Sequence, residues 1–244
     1  MKKEKLTKWT IQIVFWVGLW AILSDFIAAP ILLPSPLSVM KEMLDLSFSG
    51  FFWSLFFKTF ANVFFGLLIG LILGLILVFA SFYSKLSAWL IEPMIHFIKT
   101  TPIAAMILVL LIWLRSASLP MVLVILVVIP AIYLNIWEAL TKAKSEIVEV
   151  LEVYKVGKKK SFRYVYFPIA LEEIYKSLPF LMGFSWKSGV SGEIMAQVKN
   201  SFGNEIYLSK IYLETARVFA FVILLVIFSV AIEKLVLKVV KKWQ

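Results

Sequence analysis

Cysteine is absent from this chain of 244 residues, and histidine occurs only once, at His96. Without cysteine there are no disulfides, and one histidine alone does not make a Cys/His zinc site. The sequence G-x-x-x-x-G-K-[ST] does not occur, which excludes ATP hydrolysis by a P-loop in this polypeptide. A Rossmann fingerprint and a nucleophile elbow are also missing, so we expect neither an enzyme nor a cofactor in this chain.

Charged residues are scarce as well: they make up 16% of the chain, and hydrophobic residues make up 61%. Soluble domains carry about 25% charged residues, and a soluble protein this apolar could not cover its surface with polar groups. The net charge is +10, but lysine and arginine fall mainly between apolar runs rather than along one water-facing stripe. The composition therefore predicts an integral membrane protein that contacts lipid and has no nucleic-acid partner.

Several apolar stretches approach the length of about 20 residues that a membrane-spanning helix needs. They are residues 9–29, 53–79, 86–114, 120–140, 174–195 and 218–237. The first is expected to be an uncleaved span rather than a signal peptide, because its apolar core is long and no clear A-x-A site follows. The third is interrupted at Lys99-Thr100-Thr101-Pro102, where proline is expected to bend it. We therefore predict an all-α integral membrane protein with six transmembrane helices.

The distribution of basic residues predicts how these spans are oriented. Lysine and arginine concentrate in the N-terminal tail, between the fourth and fifth spans, and at the C-terminal end. Six spans place these three regions on one side, and positive charge is retained in the cytoplasm. We expect a multi-pass plasma-membrane protein with both termini cytoplasmic. Residues 1–50 would form the tail, the first helix and an extracytoplasmic segment, and residues 51–244 a transmembrane domain with a cytoplasmic loop at about 141–173.

The expected loop contains a helical stripe at spacings i, i+3, i+4 and i+7. Its members are Ile147, Val150, Leu151 and Tyr154. Ser145 is the expected N-cap, followed by Glu146 and Glu149 in the first turn, and Gly157 with its following lysines is the expected stop.

The spacing alone leaves three uses of this helix open. It could lie on the lipid surface, pack against its own membrane domain, or dock onto a partner protein. The lipid surface is disfavoured because the helix carries Glu146, Glu149 and Glu152, which anionic headgroups repel.

The same segment resembles the E-A-A loop found in permease subunits of binding-protein-dependent ABC importers. That motif reads E-A-A, three residues, G, nine residues and I-x-L-P. Glu149-Val150-Leu151 and Val165-Tyr166-Phe167-Pro168 stand at its spacing. Lys155 occupies the position of the motif glycine, so either Gly157 takes over its role or the helix continues further.

Other segments are similar to the nitrate/sulfonate/taurine-type permeases, in the same order along the chain. They are Leu32-Leu33-Pro34-Ser35-Pro36, Thr59-Phe60-Ala61-Asn62-Val63, Gly66, Gly70 and Gly74, the stretch from Pro93 to Ala105, Trp186 with Val190 and Glu193, and Phe202-Gly203. The resemblance thus extends from about Leu32 to Glu233.

This resemblance implies a type I ABC importer permease (MetI-like) fold. It implies two permease copies forming a homodimer, cytoplasmic ATP-binding subunits that hydrolyse ATP, and an extracytoplasmic solute-binding protein. The solute would be nitrate, a sulfonate, taurine or a pyrimidine precursor. A role in coupling to the ATPase is implied for Glu149, Val150, Leu151, Glu152, Lys155, Val156, Gly157 and Pro168.

Further residues are assigned from their position in the spans. Gly66, Gly70 and Gly74 line one helix face and are expected to allow close helix packing. Polar or aromatic residues that could line a translocation path are Thr100, Thr101, Trp186 and Glu193. An ion-coupled secondary transporter is the alternative function. Such transporters are commonly built from inverted repeats, and no repeat is visible in this sequence.

Overall fold

The computed structural model describes residues 2–243, with side chains at residues 7–8, 10–144, 147 and 149–240. All regular structure in this range is helical, which confirms the all-α class. The helices are α1 (Lys2–Ile27), α2 (Pro36–Ser47), α3 (Gly50–Tyr83), α4 (Lys85–Thr100), α5 (Ile103–Trp113), α6 (Leu119–Val153), α7 (Lys158–Ser161), a π-helical turn (Phe162–Tyr166), α8 (Phe167–Ala196), α9 (Phe202–Ile211) and α10 (Thr215–Trp243).

Four helices within residues 2–243 are long and apolar enough to cross a membrane. The qualifying segments are Thr10–Ile27, Gly50–Tyr83, Leu119–Lys144 and Thr215–Val240. The α4–α5 pair, bent by 110°, makes a fifth span if it is counted as one. The span expected at 174–195 lies in α8, which has 30 residues but is too polar to qualify. The count of six therefore stays a prediction.

The α4–α5 break lies at the expected proline. α4 ends at Thr100 and α5 begins at Ile103, immediately after Pro102. α5 has 11 residues, so it is about 17 Å long and cannot cross a hydrocarbon core of about 30 Å alone.

Helix α6 runs without interruption from the fourth expected span into the expected loop. The prediction that a separate helix starts with Ser145 as its N-cap is wrong, because residue 145 lies inside α6. Neither glycine nor proline occurs between Pro130 and Gly157, so no residue in this stretch ends the helix at the membrane boundary.

The centre of the protein is formed by α6, with α3 packed along one side and α8 along another. Gly66, Gly70 and Gly74 all face α6. A Cβ at Gly66 would lie 2.9 Å from the Met121 carbonyl oxygen, and one at Gly70 would lie 2.9 Å from the Val128 Cβ. At Gly74 the nearest atom, in Ile132, would be 3.0 Å away. The backbone of α3 therefore approaches α6 more closely than any larger residue would allow.

The L-P-S-P element ties the outlying helix α1 to the rest of the protein. The Trp20 Nε1–H of α1 donates to the Pro34 carbonyl at 3.0 Å, and the Ser24 hydroxyl donates to the Leu33 carbonyl at 3.0 Å. Ser35 then caps α2 by accepting from the Ser38 N–H. This short proline-rich stretch thus joins α1 to α2, which in turn packs on α10.

We expect Gly70→Ala to lower the stability of the protein in detergent by about 1–3 kcal/mol, the usual cost of overpacking. The added methyl group would meet Val128 and force α3 away from α6. Thermal unfolding measures the effect. Gly18→Ala is the control, since no atom lies within 4 Å of a Cβ at Gly18. Equal melting temperatures for the two variants would contradict the close approach.

Candidate functional site

The chain turns back between α6 and α7 in a segment that we call the elbow, residues 149–160. Lys155 has a left-handed backbone conformation, with φ of 50°. Its N–H donates to the Glu152 carbonyl at 3.0 Å, and the Val156 N–H donates to the Leu151 carbonyl at 2.9 Å. These two bonds define a Schellman motif, in which the first residue past the cap is left-handed.

The structure follows neither alternative for the motif glycine. Helix α6 ends at Val153 instead of continuing, and Gly157 has φ of −65°, a conformation open to any residue. Lys155 itself adopts the conformation in which glycine carries no steric penalty. A glycine at this position would therefore fit the left-handed cap of α6 without that penalty.

The apolar residues near the end of α6 are divided between two environments. Ile147 and Leu151 are half-buried, and Leu151 packs against the hydrophobic core. The other apolar residues point outward, with 52% of Val150, 76% of Val153 and 76% of Tyr154 exposed. The elbow thus presents an uncovered apolar patch, defined here as Val150, Val153 and Tyr154.

The remaining coupling candidates surround this patch or follow it. Glu149, Glu152, Lys155 and Gly157 are exposed, and Val156 is half-buried. Pro168 lies further along the chain, exposed in the first turn of α8. The expectation that Glu149 stands in a helix's first turn is wrong, because it belongs to the last turns of α6.

The π-helical turn just after the elbow is anchored to the end of α3 by aromatic rings. The ring centroids of Phe79 and Phe162 are 5.0 Å apart, and those of Phe82 and Tyr166 are 4.8 Å apart. Both pairs approach edge-on, a favourable arrangement for aromatic rings. The elbow therefore continues α6 on one side and is followed on the other by a turn that packs against α3.

A second group of polar residues is buried at the other end of α3 and α8. Glu193 is fully buried. Its carboxylate accepts from the Thr59 hydroxyl at 2.9 Å and from the Gly203 N–H at 3.0 Å. The Thr59 oxygen in turn accepts from the Phe202 N–H at 3.2 Å. We call Thr59, Glu193, Phe202 and Gly203 the buried glutamate cluster, and it joins α3, α8 and α9.

Glycine is required at position 203 for this cluster to close. A Cβ there would lie 2.5 Å from the Glu193 Cβ and 2.7 Å from the Val190 carbonyl oxygen. The sequence singled out Thr59 and Phe202-Gly203 as motif residues but did not connect them with Glu193. Thr59 is 134 positions from Glu193 in the sequence, and Gly203 is 10 positions from it. Only the folded chain brings the three residues together.

A cavity of about 420 Å³ lies where α4 and α5 meet, against α6 and α8. Its polar lining comes from Lys99, Thr101, Asn135 and Glu138, and the rest is apolar. Of the candidate path residues, only Thr101 lines this cavity. Thr100 is exposed beside it, whereas Trp186 and Glu193 are buried in the protein interior. The described part of the chain holds no cluster of three residues suited to a metal ion.

Comparison with known families matches residues 66–243 to a model described as binding-protein-dependent transport system inner membrane component. The match begins at the first glycine of the α3 ladder and includes the elbow, the cavity-lining residues of α4, α5, α6 and α8, and the buried glutamate cluster except for Thr59. A search of curated proteins found no match.

We expect Lys155→Gly to stabilise the elbow by about 1 kcal/mol, because glycine removes the cost of the left-handed conformation. Hydrogen exchange at the Val156 amide, which closes the Schellman motif, should slow by about five-fold. Lys155→Val should accelerate it. Gly157→Ala is the control and should change nothing, since a Cβ at Gly157 meets no atom within 4 Å. An effect at residue 157 but not at 155 would contradict this assignment.

We expect Thr59→Val to destabilise the protein by about 1–3 kcal/mol, the cost of leaving buried polar groups unpaired. The variant keeps the side-chain shape but removes both the donor to Glu193 and the acceptor for the Phe202 N–H. Thr59→Ser retains the hydroxyl and should keep most of the stability. Thermal unfolding in detergent compares them, and equal losses would show that the hydroxyl is not what stabilises this site.

Proposed function

Since the chain belongs to the family of inner membrane components of binding-protein-dependent transport systems, we propose that it couples a cytoplasmic ATPase to the import of a small solute. Membership makes it a permease subunit of an ABC importer, a multi-pass inner-membrane protein, and a transport subunit rather than an enzyme. An ABC ATPase is its family's partner, usually together with a solute-binding protein. The proposal adds the coupling element, the orientation, the assembly and the class of solute.

The observation that carries the proposal is the length and continuity of α6. The helix has 35 residues, so it measures roughly 52 Å, against about 30 Å for the hydrocarbon core. About 20 Å of it therefore projects beyond the membrane and ends in the elbow. Because the projecting part and the spanning part are one helix, a displacement of the elbow moves the centre of the protein.

The surface of the elbow supports a protein partner. Val150, Val153 and Tyr154 form an uncovered apolar patch at the point furthest along α6. Among such exposed side chains, tyrosine is the type that commonly dominates the binding energy once an interface buries it. The charges around the patch favour the same reading: Glu149 and Glu152 stand near the negative end of α6, where they are unfavourable without a partner.

The proposed orientation places this elbow in the cytoplasm. It rests on the concentration of lysine and arginine in both terminal regions and between α6 and α8. In the same orientation, the buried glutamate cluster lies in the outer half of the membrane. The L-P-S-P element would then lie on the extracytoplasmic side, where a solute-binding protein would approach.

Transport in this proposal follows alternating access by two copies of the chain. ATP binding closes the two ATPase subunits, which move the paired elbows and turn the central helices from an inward-facing to an outward-facing arrangement. The binding protein then delivers its solute, and hydrolysis returns the assembly. No covalent chemistry is assigned to this chain. Its proposed role is to convert the displacement of the elbow into a change in which side of the membrane the solute pathway opens to.

The proposed class of solute comprises nitrate, sulfonates, taurine and pyrimidine precursors. It rests on the resemblance of the L-P-S-P element, the α3 motif with its glycines, and the segment around Glu193 to permeases of that type. An ion-coupled secondary transporter is disfavoured by membership of a family whose systems depend on binding proteins.

We expect the full chain to co-purify with an ATPase subunit encoded in the same operon. Glu149→Arg and Tyr154→Ala should each weaken the association by about ten-fold or more, because both side chains lie on the exposed elbow. Asp45→Arg is the control: it also reverses an exposed acidic charge, but on α2. Quantitative co-purification measures the three variants against the parent chain.

Two results would contradict the coupling role. The first is association that both elbow variants leave unchanged. The second is accessibility of residue 154 to a membrane-impermeant reagent from outside the cell, since an external elbow could not contact a cytoplasmic ATPase.

A further inference from the structure

The cavity at the α4–α5 break extends along α6 from the middle of its candidate span toward the elbow end, where Glu138 lies. The α6 residues that line it include Val127, Pro130, Ala131 and Leu134. These residues occupy the middle of the candidate span Leu119–Lys144. Interrupted helices line the solute sites of many transport proteins, and the α4–α5 pair that lines this cavity is bent by 110°.

The cavity holds one cationic and one anionic side chain. Lys99 comes from the end of α4 and Glu138 from α6. Among the described residues, neither has an ion-pair partner within 4.0 Å. Ionisable groups in a membrane protein are costly and usually face a water-filled cavity or a partner. Two opposite charges on the wall of one cavity, both without a protein partner, point to a ligand that carries both charges.

The neutral polar groups of the cavity retain hydrogen-bonding capacity. The Asn135 Nδ2 donates to the Ser177 hydroxyl at 3.0 Å, which leaves the amide oxygen and a second N–H for a ligand. The Thr101 hydroxyl donates to the Phe97 carbonyl at 2.7 Å, so its oxygen can still accept. The remaining wall is apolar, formed by side chains such as Met106, and suits a short carbon chain.

We propose that this cavity is a binding site for the transported solute and that the solute is a small zwitterion. Its ammonium group pairs with Glu138, and its sulfonate or carboxylate pairs with Lys99. A solute anion without an ammonium group would be repelled by Glu138 and would leave it unpaired. A simple cation would likewise be repelled by Lys99 and would leave it unpaired. This inference rests on the proposed function, within which it selects taurine-like solutes over nitrate or simple sulfonates.

The test uses the absence of cysteine from the chain. Ala131→Cys places a single thiol on the cavity wall, and Ser116→Cys places one on the exposed α5–α6 loop as the control. The full-length variants are reconstituted in lipid nanodiscs, and their rates of maleimide labelling are measured. The probes are taurine and β-alanine as zwitterions, isethionate as a matched anion without the ammonium group, and ethylamine as a simple cation.

We expect the two zwitterions to slow labelling of the Ala131→Cys variant, and isethionate and ethylamine to have little effect. At a probe concentration about ten times its dissociation constant, the rate should fall about ten-fold by mass action. The Ser116→Cys variant should be labelled at the same rate with each of the four probes and without any probe. Equal protection by isethionate and taurine, or protection by neither zwitterion, would overturn the proposal.

Two charge-neutralising variants then assign the groups in the Ala131→Cys background. Glu138→Gln should raise the half-protecting taurine concentration by about ten-fold, which corresponds to about 1.4 kcal/mol, and should improve protection by isethionate. Lys99→Gln should weaken protection by taurine without that improvement. Identical responses of the two variants to isethionate would overturn the assignment of opposite charges.

Association with the ATPase subunit is measured on the same preparations. Lost protection with intact ATPase association refutes the zwitterion site and leaves the coupling role standing. Intact protection without ATPase association refutes the coupling role alone. The two proposals can therefore fail separately.

Discussion

The close packing of α3 on α6 is the contact on which the rest of this protein depends. Three glycines spaced by one helical turn bring the two backbones together along their length. In a membrane, packing of this kind replaces the hydrophobic driving force that assembles soluble proteins, because lipid tails are as apolar as the helix surfaces. With α8 packed on another side of α6, these three helices form the frame that positions both the elbow and the cavity.

This frame determines which helices the elbow is connected to. α6 runs into the elbow without a break, and two aromatic pairs just after the elbow attach the returning chain to the end of α3. A force applied at Tyr154 is therefore transmitted to the same two helices that the glycines hold together. A flexible tether at this place would absorb the displacement instead.

The two ends of this three-helix frame differ in whether their polar groups have partners. One end is tied by the buried glutamate cluster, where a carboxylate with several donors links three helices. The opposite half contains the cavity, where Lys99 and Glu138 face open space. A satisfied buried network stabilises one arrangement, whereas unpaired charges beside a cavity favour a ligand. The chain thus combines a satisfied polar contact at one end of the frame with a polar cavity in the opposite half.

Local chemistry was readable from the chain alone. Apolar runs predicted a helical membrane protein, and Pro102 predicted the α4–α5 break, because each is a property of neighbouring residues. The spacing of the E-A-A-like segment located the elbow. Helix boundaries there were misjudged, since a stripe repeating every 3.6 residues looks the same in a separate helix and in the extension of a longer one.

Contacts between segments that are distant in the sequence could not be predicted in this way. The partnership of Thr59, Glu193 and Gly203 and the presence of Lys99 and Glu138 on the wall of one cavity each depend on how helices approach one another. Residue types and spacings specify which helices form and which faces are apolar. The pairing of their faces and the angles between them arise from packing over the whole chain, and those two quantities determine which polar groups share a site.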